Sequence, residues 1–193
     1  MYKHFFKRLF DFCIALVALL LIGWFLIIVA IWLHFANKGA GAFFFQERPG
    51  KDAKIFKVIK FKTMTDERDA EGNLLPDERR LTKVGKFVRS TSIDELPQLI
   101  NVLKGDMSIV GPRPERQYFI NKIMEHDSSY PLLFEMRPGL TSEATLYNGY
   151  TDTMQKMLKR LHMDIHYLEH RTLWTDVTIV FKTVVCIVSG KRF

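Results

Sequence analysis

The sequence predicts a mainly α protein with a minor β component: an N-terminal membrane-inserted helix, then one compact domain bearing amphipathic helices that lie in the membrane interface. Three observations predict it. Residues 12–33 hold only apolar side chains and Gly23, a run of about 33 Å as a helix, enough to cross a hydrocarbon core. The roughly 150 residues that follow are the usual size of a single domain. Their apolar residues recur mainly at helical spacing, and one stretch alternates at strand spacing. The division is 1–36 for the membrane-embedded helix and 37–193 for the membrane-associated domain.

The apolar run is too long for the hydrophobic core of a cleaved signal peptide, although Lys3, Lys7 and Arg8 precede it and Ala40-Gly41-Ala42 resembles a cleavage site. A straight span with its N-terminus inside would put the more basic flank, from Lys38 onward, outside, against the positive-inside rule. Two arrangements survive: a single span with the N-terminus outside, or a helix that enters one leaflet, bends and returns. Gly23, mid-run, is the weak point where a bend would form.

Beyond the small residues 37–42, Phe43-Phe-Phe-Gln-Glu-Arg-Pro-Gly50 is an extended run closed by a Pro-Gly turn. Residues 54–63 (KIFKVIKFKT) alternate basic and apolar side chains, a strand with one face buried and one basic. Residues 65–80 are polar, charge-dense and interrupted by Gly72 and Pro76, which predicts a mobile loop. Leu96, Leu99, Ile100 and Leu103 mark an amphipathic helix ended by Gly105. Its start admits a capping box of Ser92 and Glu95, or Asp94 as the cap with Pro97 in the first turn. Residues 152–169 form a second amphipathic helix. Residues 173–188, apolar but carrying Asp176 and Lys182, suit a helix lying in the interface more than a second span.

A net charge of +7 attracts nucleic acid, anionic lipid or phosphorylated substrates. The lysines after the apolar run, among them Lys38, Lys51, Lys54, Lys57, Lys60 and Lys62, are placed to hold anionic lipid, and no nucleic-acid module is present. Cys13 and Cys186 have neither disulfide nor metal-ligand spacing. His162, His166 and His170 share one helical face, read as solvated because the sequence gives them no acidic or thiol partner.

The chemistry points to Arg89-Ser-Thr-Ser-Ile-Asp94-Glu95-Leu-Pro97-Gln-Leu and Gly105-Asp-Met-Ser-Ile-Val-Gly111-Pro112-Arg113-Pro114. Asp94 at a helix start would stay ionised at neutral pH. An ionised, desolvated aspartate can attack phosphorus and split one hard transfer into two easier ones. Repulsion between the anions calls for Mg²⁺ and for arginines such as Arg89 and Arg113. Prolines on both sides of Arg113 pre-set its guanidinium for bidentate phosphate recognition.

At these residues the chain resembles the bacterial sugar transferases, the small monotopic phosphoglycosyl transferases. The resemblance runs through Lys7-Arg-Leu-Phe-Asp11, Gln46-Glu-Arg-Pro-Gly50, Lys60-Phe-Lys-Thr-Met64, the two motifs above, Arg137-Pro-Gly-Leu-Thr141, Asp164 and Trp174-Thr-Asp176, nearly the whole chain. It implies an enzyme that moves a phosphosugar from a UDP-sugar to undecaprenyl phosphate, releases UMP, and starts a surface glycan at the cytoplasmic face of the bacterial inner membrane. Asp94 would match the nucleophile and Glu95 its dyad partner, with Mg²⁺ held at Asp94 and Glu95. Lys60, Arg89 and Arg113 would match the phosphate-binding residues, and Pro112 to Pro114 the turn that meets uridine. It implies no role for Asp164 or Asp176. The chain departs from the family in carrying Ile22-Gly23 where a Ser-Pro pair usually breaks the membrane helix, and Ser142 to Gly149 in place of a Gly-x-Ala-Gln-Val-Asn-Gly-Arg block, which leaves the sugar open. A non-catalytic basic scaffold tethered to the membrane and a membrane phosphohydrolase are the rival classes.

Overall fold

The computed structural model describes residues 2–149 and 152–189; the side chain of Lys3, in the basic N-terminal flank, lies outside what is described. A π-helical turn, Tyr2–Phe6, leads into α1, Lys7–Ala36, which is helical without interruption through Gly23. Along α1 the buried residues Asp11, Ala15, Leu26, Val29 and Leu33 fall at helical spacing on one face. The opposite face exposes Leu20, Leu21, Trp24, Ile27 and Ile28. Residues 37–42 then turn the chain, and the buried Asn37 amide closes that turn by donating to the carbonyls of Gly41 (3.0 Å) and Lys62 (2.6 Å).

Strand β1, Phe43–Pro49, pairs antiparallel with β2, Ile55–Phe61, across a turn that contains Gly50 and a short 3₁₀ segment, Lys51–Ala53. The alternation in β2 predicts one buried face. The structure instead buries Val58, Ile59 and Phe61, because this end of the strand is covered on both sides. Phe61 packs with Leu26, Val29 and Leu33 of α1. On the other edge Asn101 acts as a surrogate strand, its Oδ1 accepting from the Ile59 amide (3.0 Å) and its Nδ2 donating to the Lys57 carbonyl (2.8 Å). An otherwise bare sheet edge is thereby satisfied.

The polar segment after β2 folds back on itself through the bridges Met64 to Leu81 and Arg68 to Leu74, and holds a one-turn helix α2, Asp77–Arg80. Helix α3, Lys83–Ser90, is capped by Thr82, whose hydroxyl accepts from the Gly85 amide at 2.9 Å. Gly85 lies so close to Thr63 that a Cβ there would stand 1.9 Å from the Thr63 carbonyl oxygen. Gly85→Ala is therefore expected to cost more than about 2 kcal/mol of stability, read as a lowered melting temperature of the detergent-solubilised protein.

Helix α4, Gln98–Lys104, ends at Gly105 with a left-handed φ of 94°, as its sequence predicts. Strand β3, Ser108–Val110, pairs in parallel with β4, Gly139–Thr141. Between them lie α5, Gln117–Met124, and a 3₁₀ segment, Tyr130–Glu135. The chain ends with α6, Glu143–Asn148, α7, Met154–His170, and α8, Leu173–Val188, each capped by the side chain before it: Ser142, Thr153 and Thr172. The main core gathers Val102, Met107, Ile120 and Leu161, and α1 reaches it through Ala15. Helix α8 buries Asp176 and Ile179 and exposes Trp174, Val177, Phe181 and Val184.

A polar knot fastens the start of α1. Asp11 accepts from Lys7 (2.9 Å), the Ser108 hydroxyl (2.7 Å) and the Ile109 amide (3.1 Å). Lys7 also pairs with Asp176 at 2.8 Å, and Asp176 takes the hydroxyls of Tyr2 and Tyr167. Arg8 donates to the carbonyls of Val102 (2.5 Å) and Leu103 (2.8 Å) at the end of α4. Asp176 thus joins α8 to α1.

Candidate active site

Asp94 and Glu95 sit on a 3₁₀ turn, Ile93–Glu95, between α3 and α4. Ser92 has a left-handed φ of 56°, which turns the chain out of α3. No side-chain cap forms at this turn or at α4, whose preceding residue is Pro97. The capping readings of Ser92 and Asp94 are therefore corrected: the pair lies one turn ahead of the helix, because the left-handed residue and Pro97 displace its start.

Glu95 is the anion of a three-element ion cluster. Its Oε1 accepts from Lys60 Nζ of β2 at 2.7 Å and from Arg113 Nη2 at 2.8 Å, while Oε2 faces Arg113 Nη1 at 3.3 Å. Burial would push its carboxyl up, yet the charges and hydrogen bonds of Arg113 and Lys60 outweigh that and hold it down at about 2. Arg113, following β3 between Pro112 and Pro114, is in turn shifted up by the Glu95 charge.

Asp94 is left in a different state. Burial first, and the Glu95 charge second, push its carboxyl up to about 6 against the opposing pull of Lys60 and Arg89. It remains mostly ionised at neutral pH because Lys60 and Arg89 oppose the burial and the Glu95 charge, not because it sits at a helix start. No side chain among the described residues hydrogen-bonds it. Arg89, at the end of α3, is steadied by donating from Nε to the buried Thr63 hydroxyl at 2.8 Å. The fold thus converges Lys60, Arg89, Asp94, Glu95 and Arg113 from β2, α3, the 3₁₀ turn and the segment after β3.

The two carboxylates differ as metal ligands. Both Glu95 oxygens already face cations, whereas Asp94 has no side-chain hydrogen-bond partner, and no cluster of three metal-ligating residues occurs among the described residues. Mg²⁺ is commonly held by one or two carboxylates plus substrate phosphates, so Asp94 fits as a protein ligand and Glu95, as paired here, does not.

Arg113 is the shared wall of two clefts. One is lined by Pro49, Pro112, Pro114, Tyr130 and Phe134. The other holds Glu115, Arg160 and Asp164. Arg160 donates to Glu115 (3.0 Å) and to the Gly149 carbonyl (3.0 Å), and its buried Nε has no partner among the described residues. Burial pushes the Asp164 carboxyl up to about 8. The sequence reading left Asp164 without a role and missed Thr63, Glu115 and Arg160; the i, i+4 spacing of Arg160 and Asp164 on an amphipathic helix was the available signal. The histidine face is exposed, as a solvated one is, but His162 has an acidic partner that the sequence did not indicate, Asp127 at 2.8 Å, and His166 stacks on His170.

A family profile described as bacterial sugar transferase matches residues 2–190. The chain is 43% identical over 178 residues to the uncharacterized sugar transferase EpsL of Bacillus subtilis (strain 168), covering 92% of this chain and 85% of that protein. It is 40% identical over 183 residues to the UDP-glucose:undecaprenyl-phosphate glucose-1-phosphate transferase of Klebsiella pneumoniae, covering 93% of this chain and 39% of that protein. With the exopolysaccharide production protein PSS of Rhizobium leguminosarum bv. phaseoli it shares 37% identity over 196 residues, 97% and 98% of the two chains. It therefore spans most of some relatives and less than half of others.

Proposed function

Because this chain belongs to the bacterial sugar transferase family, we propose that it transfers a phosphosugar from a UDP-sugar to undecaprenyl phosphate through a covalent adduct on Asp94. The observation that carries this reading is the contrast within the dyad: Glu95 is paired with both Lys60 and Arg113, while no side chain among the described residues hydrogen-bonds Asp94.

In the first step an Asp94 carboxylate oxygen attacks the sugar-bearing phosphorus, the bond from that phosphorus to the bridging oxygen breaks, and UMP leaves with the electron pair. In the second, a phosphate oxygen of undecaprenyl phosphate attacks the same phosphorus and the Asp94 carboxylate departs unchanged. Arg113 and Lys60, pre-oriented by Glu95, supply fixed positive charge where negative charge builds up, and Arg89 adds to it. Mg²⁺ on Asp94 and the donor diphosphate would neutralise charge between the two anions. The proline-lined cleft beside Arg113 suits the uridine.

The placement of α1 argues against a single span, although its uninterrupted course through Gly23 gives the bend of a re-entrant helix no support. Arg8 and Asp11 at one end and Asn37 at the other bond to the same domain, although α1 is long and apolar enough to cross a membrane. A helix whose two ends grip one water-facing body does not place them on opposite sides of a hydrocarbon core about 30 Å thick. Tags at both termini are expected to resist external protease in intact cells; digestion of the N-terminal tag alone means a single span.

The function is tested by incubating the purified protein with a panel of UDP-sugars. A stoichiometric UMP burst without acceptor, and sustained UMP release only with undecaprenyl phosphate and Mg²⁺, are expected. Steady release without a lipid acceptor indicates a hydrolase instead.

A further inference from the structure

Phe44 stands where neither the core nor the donor chemistry accounts for it. In the register of the hairpin it lies directly opposite Lys60, and directly opposed residues of an antiparallel pair present their side chains on the same face. Lys60 uses that face to reach Glu95 at 2.7 Å, so the Phe44 ring borders the lysine side of the dyad. It is 42% exposed, and no ring stacks on it among the described residues, whereas its neighbour Phe43 is stacked on Phe61 at 5.4 Å. Its other neighbour, Phe45, is 57% exposed on the opposite face. The strand follows the apolar helix α1 after only the short turn of residues 37–42.

The apolar parts of a UDP-sugar are its uracil ring and one sugar face, and the ring is already assigned to the cleft lined by Pro49, Pro112 and Pro114, at the other end of β1 from Phe44. A polyprenyl phosphate has the matching chemistry, an anionic head joined directly to an apolar chain. Resting on the proposed transfer reaction, we propose that Phe44 is an acceptor-recognition residue, its ring covering the isoprene units next to the phosphate while Lys60 faces the phosphate itself. The apolar chain then runs from Phe44 back toward the lipid-facing side of α1. Phe45, pointing the other way, takes no part.

Two measurements on the full-length protein in nanodiscs test this. In the first, Phe44→Ser is expected to raise the KM for undecaprenyl phosphate about tenfold, the effect of losing a good part of one ring's apolar burial. Phe44→Leu should recover most of that loss, and Phe45→Ser should leave the acceptor KM within about twofold of wild type. The UMP burst with donor alone should be the same in Phe44→Ser as in wild type. In the second, a diazirine-bearing polyprenyl phosphate should label the peptide holding Phe44, with excess undecaprenyl phosphate suppressing the label. An unchanged acceptor KM in Phe44→Ser, an equal rise in Phe45→Ser, or an equal fall in the donor burst would overturn the proposal, the last two meaning a general lipid contact or misplacement of Lys60. Labelling needs no turnover: its absence refutes the Phe44 contact even if transfer proceeds, and its presence without transfer refutes the reaction alone.

Discussion

Asp94→Asn is expected to abolish transfer, lowering the rate by at least about three orders of magnitude, because the amide offers no nucleophilic oxygen to form the adduct. Membrane association should be unchanged, since the substitution leaves the exposed apolar faces of α1 and α8 as they are. The same carboxylate is expected to set the pH profile. With its pKa raised to about 6, the wild-type rate should fall as the pH drops through 6, where the nucleophile becomes protonated. Its effect on stability has the opposite sense. A carboxyl held above its ordinary value of 3.8 binds its proton more tightly in the folded state, so folding is penalised progressively as the pH rises from about 4 to 6 and fully above that. The asparagine variant should therefore melt higher than wild type at pH 7.5, with the gap closing near pH 4. Transfer retained within tenfold of wild type would remove Asp94 from the chemistry, and a lower melting point at pH 7.5 would contradict the burial argument.

Asp11→Ala should give the largest loss of stability, about 3 kcal/mol. Asp11 is 3% exposed and accepts from three groups. Without it the Ile109 amide is buried with no acceptor and Lys7 loses one of its two carboxylate partners; a stranded buried donor carries most of its desolvation cost. The start of α1 is then held to the domain mainly through Arg8 and Asp176. Asp11→Asn keeps an acceptor for the amide and should recover part of the loss. Thermal unfolding in one detergent, compared across the three proteins, reads this directly. A drop in the alanine variant no larger than that of an exposed substitution means the knot is not structural.

What could be read along the chain was what repeats at short range. The apolar run of α1, the spacing from Leu96 to Gly105, and the stripes of α7 and α8 each announce an element, because burial of one helical face leaves a period of its own. The three-residue strands β3 and β4 leave none: they pair in parallel from segments almost thirty residues apart, and three residues are too few for alternation. The edge of β2 is sealed by Asn101, a helix residue whose amide mimics a strand, and nothing near Asn101 in sequence suggests that. At the site, residue types and rigid prolines pointed to Arg89, Asp94, Glu95 and Arg113, and Lys60 entered only through the family resemblance. The division of labour between the carboxylates was not legible, because it depends on Lys60 and Arg113 arriving from distant segments at Glu95 and not at Asp94. Ser92 adopting a left-handed turn was equally invisible, and together with Pro97 it moved the dyad off the helix start.

Glu95 gives the resting enzyme a built-in counter-ion. Lys60 and Arg113 do not present a bare positive well that cellular anions such as chloride, inorganic phosphate or stray carboxylates would fill. An incoming anion has to compete with a carboxylate already held on both cations, and a nucleotide diphosphate, carrying more charge over a longer span, competes better than a small anion does. Selectivity among anions thus begins with what the empty pocket already holds, before any base or sugar is recognised.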